Sequence, residues 1–105
     1  MGQYFKIVNL TKKEVVHPHN LNTGAKFREI CNNNVGGVLL FLLRRSSQGG
    51  GGDIDRSYEY AGRWAGDSIV VIGDYDESGL YDEAREYRDI SKEVDEEFKD
   101  FTRCY

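Results

Sequence analysis

Hydrophobic positions recur along the last quarter of the chain at Leu80, Ala84, Tyr87, Ile90, Val94, Phe98 and Phe101. Steps of three and four put these side chains on one stripe of an amphipathic helix. Ser91 interrupts the stripe. Asp89-Ile90-Ser91 followed by Lys92-Glu93 reads as a cap with an acid in the first turn. The pattern therefore predicts either one long helix or two, divided near Ser91.

Upstream the period changes. Ser68-Ile69-Val70-Val71-Ile72-Gly73 holds four successive β-branched residues, the pattern of a strand buried on both faces and hence central. Tyr4 to Leu10 is a second strand, dense in aromatic and β-branched residues. Thr11-Lys12-Lys13-Glu14 is polar and turn-like, and Val15-Val16-His17 forms the return of a hairpin. Pro18, the only proline, ends it because it has no N–H to donate. Asn22-Thr23-Gly24 suits entry to a short helix through Cys31. In that helix Phe27, Ile30 and Cys31 share a face, which makes Cys31 an inert core thiol. The run Val35–Leu43 is apolar almost throughout. Leucine outweighs β-branched residues in it, which favours a helix from about Gly37 to Arg45. Tyr58-Glu59-Tyr60 reads as a short strand or a turn of helix. Gly49 to Gly52 offer nothing to pack, so residues 46–52 are expected to form a mobile loop.

These elements predict one α+β domain over residues 1–105. An N-terminal hairpin and the strand at 68–73 form a small, mainly antiparallel sheet, with helices packed on one face. A chain of 105 residues is long enough for one core and too short for two domains. No apolar run approaches the roughly 18 residues that span a bilayer. The first residues lack the basic, then apolar pattern of a signal peptide, and Lys6 stands where a myristoylation signal prefers Ser or Thr. Two cysteines with no CxxC pair suit neither a zinc ribbon nor a disulfide-built domain. A cytoplasmic protein with reduced thiols is the expectation.

Charge changes the picture along the chain. Residues 1–73 hold nine Lys/Arg and six Asp/Glu, a net of +3, whereas residues 74–105 hold five and twelve, a net of −7. Phosphates are repelled by the acidic segment, so no nucleic acid is expected there. A basic protein partner or a divalent cation is compatible with it.

The most specific motif is the acidic turn after the third strand. Counted from Asp74, it places oxygen-bearing Asp74, Asp76 and Ser78 at the first, third and fifth positions of a calcium loop. Gly79 is sixth, and Asp82, at the ninth, reaches a cation through water. The twelfth position is Arg85 where a bidentate Glu belongs, and a strand precedes the loop in place of a helix. Helix capping by Asp and Ser therefore outranks a weak Ca²⁺ or Mg²⁺ site. No other cofactor is implied. His17 and His19 flank Pro18 and face the same way if extended. With Asp67, Asp74 or Asp76 they form the residue set of a metal-assisted hydrolase. Trp64 and Asp67 sit in a loop before a strand, a common setting for binding residues. Seven tyrosines, Tyr58, Tyr60, Tyr75 and Tyr81 among them, suit a contact surface or, equally, a half-buried core.

Several motifs together, Met1-Gly2-Gln3-Tyr4, Pro18-His19, Gly62-Arg63-Trp64-Ala65-Gly66-Asp67, Gly73-Asp74-Tyr75-Asp76 and Tyr87-Arg88-Asp89-Ile90-Ser91, resemble a family of small uncharacterised proteins of bacteria, archaea and their phages. The resemblance covers most of the chain, with the glycine-rich stretch similar to a variable insertion. It implies a prokaryotic or viral cytosolic origin and no particular activity. It also implies that Trp64, Asp67, Asp74 and Asp76 matter to fold or function.

No complete catalytic set stands in the sequence. The leading expectation is a non-enzymatic interaction or regulatory protein that binds a protein partner. Trp64, Asp67, Tyr75, Glu93, Glu96 and Glu97 are its candidate contact residues. The alternatives are a small-ligand or cation module built on Asp74, Asp76, Ser78 and Asp82, and the metal-assisted hydrolase.

Overall fold

The computed structural model describes residues 3–21, 24–45 and 58–103. The expected loop at 46–52, the helix entry at Asn22-Thr23, and Cys104 lie outside the described residues. In chain order the elements are β1 (Phe5–Asn9), β2 (Glu14–Val16), a 3-10 turn (Pro18–Leu21), α1 (Phe27–Cys31) and α2 (Val35–Leu43). They continue with β3 (Ile69–Gly73), α3 (Leu80–Glu83), a 3-10 turn (Ala84–Glu86), β4 (Arg88–Asp89) and α4 (Ser91–Arg103). The fold is α+β, with a mainly antiparallel four-stranded sheet in the order β3-β1-β2-β4.

The central strands are β1 and β2, not β3. Lys6, Ile7, Val8 and Asn9 are all buried, while Val71 in β3 is 37% exposed. The β-branched run of β3 signals a good strand but not its neighbours. Among the described residues only β1 pairs with it, Phe5 opposite Gly73 through Asn9 opposite Ile69. Along the other side of β1 runs β2, with Ile7 opposite Val16 and Asn9 opposite Glu14. The turn between them needs a left-handed residue, supplied by Lys13 at φ 56°.

Strand alternation sends side chains to two faces. Ile7 and Val16 join Val35, Val38, Phe41 and Leu42 of α2, Trp64, Ile90 and Val94 in the main core. Each such fully buried aliphatic contributes about 1.5–3 kcal/mol. Val8, Val15, Ile72 and Ala84 form a smaller cluster on the opposite face, with Leu80, Tyr81 and Tyr87 packed on it. On this side Lys6 is buried and lays its Nζ 3.9 Å from the centre of the Tyr81 ring.

The C-terminal apolar stripe is thus divided between the two faces of the sheet. Leu80, Ala84 and Tyr87 serve the small cluster, and Ile90, Val94, Phe98 and Phe101 the large one. The chain changes sides through β4, which runs parallel to β2. Asp89 accepts the Ser91 N–H at 2.9 Å and starts α4, so the two-helix alternative is the realised one. Helix α4 packs closely on α2 because Gly37 leaves room for Phe98. A Cβ there would stand 2.6 Å from the ring. Cys31 is exposed, against the expectation of a core thiol. Helix α1 is too short to bury a full face, and only Ile30 turns inward.

Among the described residues no helix is long and apolar enough to cross a membrane.

Candidate functional site

The segment Tyr60–Asp67 is built on the end of α2. The last carbonyls of a helix lack partners within it. Here Phe41 O accepts the Gly62 N–H at 2.9 Å, and Leu42 O accepts the Trp64 N–H at 3.0 Å. Gly62 adopts φ +77°, and a Cβ on it would stand 2.6 Å from Arg44 O. Only glycine fits that approach.

Trp64 is fully buried by this docking. Its indole Nε1–H donates to Glu14 Oε1 at 2.8 Å. Arg63 grips the same carboxylate from its Nε, at 3.0 and 3.1 Å, and from Nη2 at 2.6 Å. Arg88 adds a longer contact at 3.9 Å. Glu14 itself is only 3% exposed. Burial pushes its carboxyl up, but the bonds from Arg63 and Trp64 and the charges of Arg63 and Arg88 outweigh it. The pKa stays below the ordinary 4.5. A buried carboxylate needs such partners, since an isolated one is too costly.

Glu14 was not among the expected site residues, because Thr11-Lys12-Lys13-Glu14 reads as a turn. One signal marks it. Glu14 is in phase with Val16, so extending the strand one step back puts it on the core face.

A second polar group lies beside it. Buried Asn9 donates from its Nδ2 to Asp67 Oδ2 at 2.8 Å and accepts the Lys12 N–H at 2.8 Å. Lys12 Nζ also binds Asp67. The bonds from Lys12 and Asn9 hold the Asp67 carboxyl below its ordinary value. Trp64 and Asp67 therefore fasten the loop to the sheet, and neither lines the cleft described next.

Arg88 and Tyr60 connect Glu14 to the surface. Arg88 donates to the Tyr60 hydroxyl at 3.0 Å and lies 3.7 Å from Glu93. The Arg63 guanidinium stands 5.5 Å from the centre of the Tyr60 ring. Beyond Tyr60 opens a cleft of about 430 Å³ between the Tyr58–Tyr60 segment and α4. Its aromatic residues are half-buried Tyr58 and Tyr60, the latter buried in the main core. Its other lining residues are all acidic: Glu59, Glu93, Glu96, Glu97 and Asp100. The spacing of Glu93, Glu96, Glu97 and Asp100 follows one face of the helix. The three glutamates expected to form an acidic contact surface are thus brought together.

Two of these carboxylates hold the wall in place. Glu97 Oε1 accepts the Tyr60 N–H at 2.9 Å, and Asp100 Oδ2 accepts the Tyr58 hydroxyl at 2.8 Å. Exposed Glu59 and Glu96 accept no hydrogen bond and join no ion pair among the described residues. The rim therefore presents negative charge to solvent.

The acidic turn is built differently. Asp74 Oδ1 accepts the Tyr4 N–H at 3.1 Å. Asp76 Oδ2 accepts the Ser78 N–H at 2.9 Å and also binds its hydroxyl. These bonds hold the Asp76 carboxyl below its ordinary value. Ser78 Oγ accepts the Leu80 N–H at 3.2 Å at the start of α3, and Asp82 pairs with Arg85 at 3.2 Å. Each candidate cation ligand thus has its own local partner. Tyr75 is 66% exposed on this turn, away from Tyr58 and Tyr60, and Tyr81 lies under Lys6.

The histidines do not converge with the aspartates as a metal site would require. His17 is half-buried, and burial lowers its pKa below 6.5. His19 is exposed, its ring centre 6.1 Å from that of Tyr4. Among the described residues no group of three His, Cys, Asp or Glu is arranged to hold a metal ion.

Compared with known proteins, the chain matches no family model, no curated protein and no solved structure.

Proposed function

We propose that the chain is a non-enzymatic interaction protein that captures a basic segment of a protein partner in the cleft between Tyr58–Tyr60 and α4. One observation carries this reading: an open concavity walled by two tyrosines and lined otherwise by carboxylates. An extended Lys- or Arg-bearing segment suits it. Aliphatic stems and guanidinium planes lie against the half-buried Tyr58 ring, and the charged ends meet Glu59, Glu93 and Glu96. The buried Glu14 group supports the cleft from beneath, through Arg88 and Arg63 at Tyr60. An exposed Cys31 thiol fits a reducing compartment such as the cytoplasm.

The reading is tested by fluorescence anisotropy with a labelled Lys/Arg-rich peptide and a Glu-rich peptide of the same length. The basic peptide binds and weakens as salt rises, because exposed charges are screened within about 8 Å at physiological ionic strength. The acidic peptide does not bind. Charge reversal in a Glu93→Lys/Glu96→Lys double variant weakens capture at least about tenfold, or ~1.4 kcal/mol. Equal affinity for the two peptides, or an unchanged double variant, rules the reading out.

A further inference from the structure

The two sides of the sheet are finished differently. On one side β2 is an inner strand, covered by the short β4 and the start of α4. Lys13 O accepts the Arg88 N–H at 3.0 Å, Val15 O accepts the Ile90 N–H at 3.1 Å, and His17 N–H donates to Ser91 Oγ at 2.8 Å.

The β3 side is open. Leu10 N–H donates to Ser68 O and Asp74 N–H to Tyr4 O, both at 2.9 Å. In an antiparallel pair the residues that bond to the partner alternate. Ser68, Val70, Ile72 and Asp74 therefore bond toward β1, and Ile69, Val71 and Gly73 point their N–H and C=O groups outward. Gly73 O is taken by Asp76 N–H at 3.1 Å. The outward groups of Ile69 and Val71 have no partner among the described residues. The edge also lacks the usual protections. It carries no Lys, Pro or other charge along Ile69–Gly73, and Val71 at its middle is 37% exposed.

We propose that this edge pairs antiparallel with the β3 edge of a second copy, about a twofold axis at Val71. The outward hydrogen-bonding residues set that register: Val71 meets Val71 of the other copy, and Ile69 meets Gly73. Charge selects an antiparallel copy as the occupant. Beyond the end of β3 come Asp74, Asp76 and Glu77, with no basic residue before Arg85. At its start Lys12 and Asp67 offset each other, which leaves Arg45, its Nη1 4.0 Å from where a Gly66 side chain would begin, as the excess positive charge. Antiparallel pairing brings the acidic end of each copy beside the Arg45 end of the other. The two sheets become one of eight strands. Five residue pairs make a small interface, so the dimer forms weakly, with a Kd on the order of 100 µM.

Sedimentation velocity from about 10 µM to about 1 mM tests this. The wild-type mass rises from 12.0 kDa toward twice that value. Val71→Pro removes an outward N–H and no bond to β1, and Val71→Lys adds an edge charge. Circular dichroism checks that each variant is folded, so one failing to fold leaves the other to decide. The folded variant stays at the monomer mass throughout and still captures the basic peptide. A wild type that remains monomeric at 1 mM overturns the proposal, as it leaves the edge to a strand of another protein or to none. So does a dimer that persists in a folded variant.

Discussion

Asp76 and Glu96 are both exposed carboxylates in the acidic last third of the chain, yet they stand in opposite settings. Asp76 turns back on its own loop and binds the Ser78 N–H and hydroxyl. Its neighbours are also bonded, Asp74 to the Tyr4 N–H beside β1 and Asp82 to Arg85. Glu96 stands on the rim of a concavity beside Tyr58 and Tyr60, with no bonded partner among the described residues. The turn uses its charge to fix local backbone. The cleft holds its shape with Glu97, Asp100 and the buried Glu14 group, and leaves Glu59, Glu93 and Glu96 facing solvent. Similar composition therefore fixes backbone in one region and, in the function proposed above, serves recognition in the other.

Glu14, beneath the cleft, gives the largest test of this contrast. Glu14→Ala leaves Arg63 and the Trp64 indole N–H without their acceptor, and is expected to cost about 3–5 kcal/mol in urea unfolding. Trp64→Phe keeps most of the packing but loses one bond to a buried charge, at about 1.5–3 kcal/mol. A smaller loss follows Asp76→Ala, because the turn loses its acceptor but no core contact. Peptide capture by that variant is unchanged. Glu96→Lys moves stability by less than about 0.5 kcal/mol, yet weakens capture. If Glu96→Lys unfolds the protein, or Asp76→Ala abolishes capture, the two regions have been assigned the wrong way round.

The pH dependence separates the same groups. Glu14, Asp67 and Asp76 are all held below their ordinary values in the folded chain. A lowered folded pKa contributes stability that is fully present above the unfolded value and lost as pH falls through the folded one. For Glu14 the loss begins below about pH 4.5, its ordinary value. Urea unfolding from pH 7 to pH 3 shows the decline. Glu14→Gln, less stable at pH 7, shows a shallower one.

Much of this arrangement was legible in the residues. Tyr4–Leu10 contains β1, the leucine-rich run contains α2, and the grouping of Glu93, Glu96 and Glu97 follows from helical spacing once α4 is recognised. What escaped was non-local. The β-branched residues of β3 report strand propensity, but which strand occupies the middle depends on pairing across the chain. There β1 has neighbours on both sides and β3, among the described residues, has one. The stripe from Leu80 to Phe101 has helical spacing throughout. Nothing in that spacing shows that Tyr87–Asp89 go extended and carry the stripe across the sheet. The residues did not show that Tyr58 and Tyr60 pack at the main core while Tyr75 stands exposed on the turn and Tyr81 lies under Lys6. Glu14 was hidden because its partners, Arg63, Trp64 and Arg88, lie far along the chain.

The central claim is that recognition belongs to the α4 cleft and not to the acidic turn. Amide chemical-shift mapping by NMR during titration with the Lys/Arg-rich peptide tests it directly. The largest shifts are expected at Tyr58, Glu59 and Tyr60 and from Glu93 to Asp100, with Asp74 to Asp82 nearly unmoved. Shifts concentrated at Asp74 to Asp82, or none at α4, would contradict it.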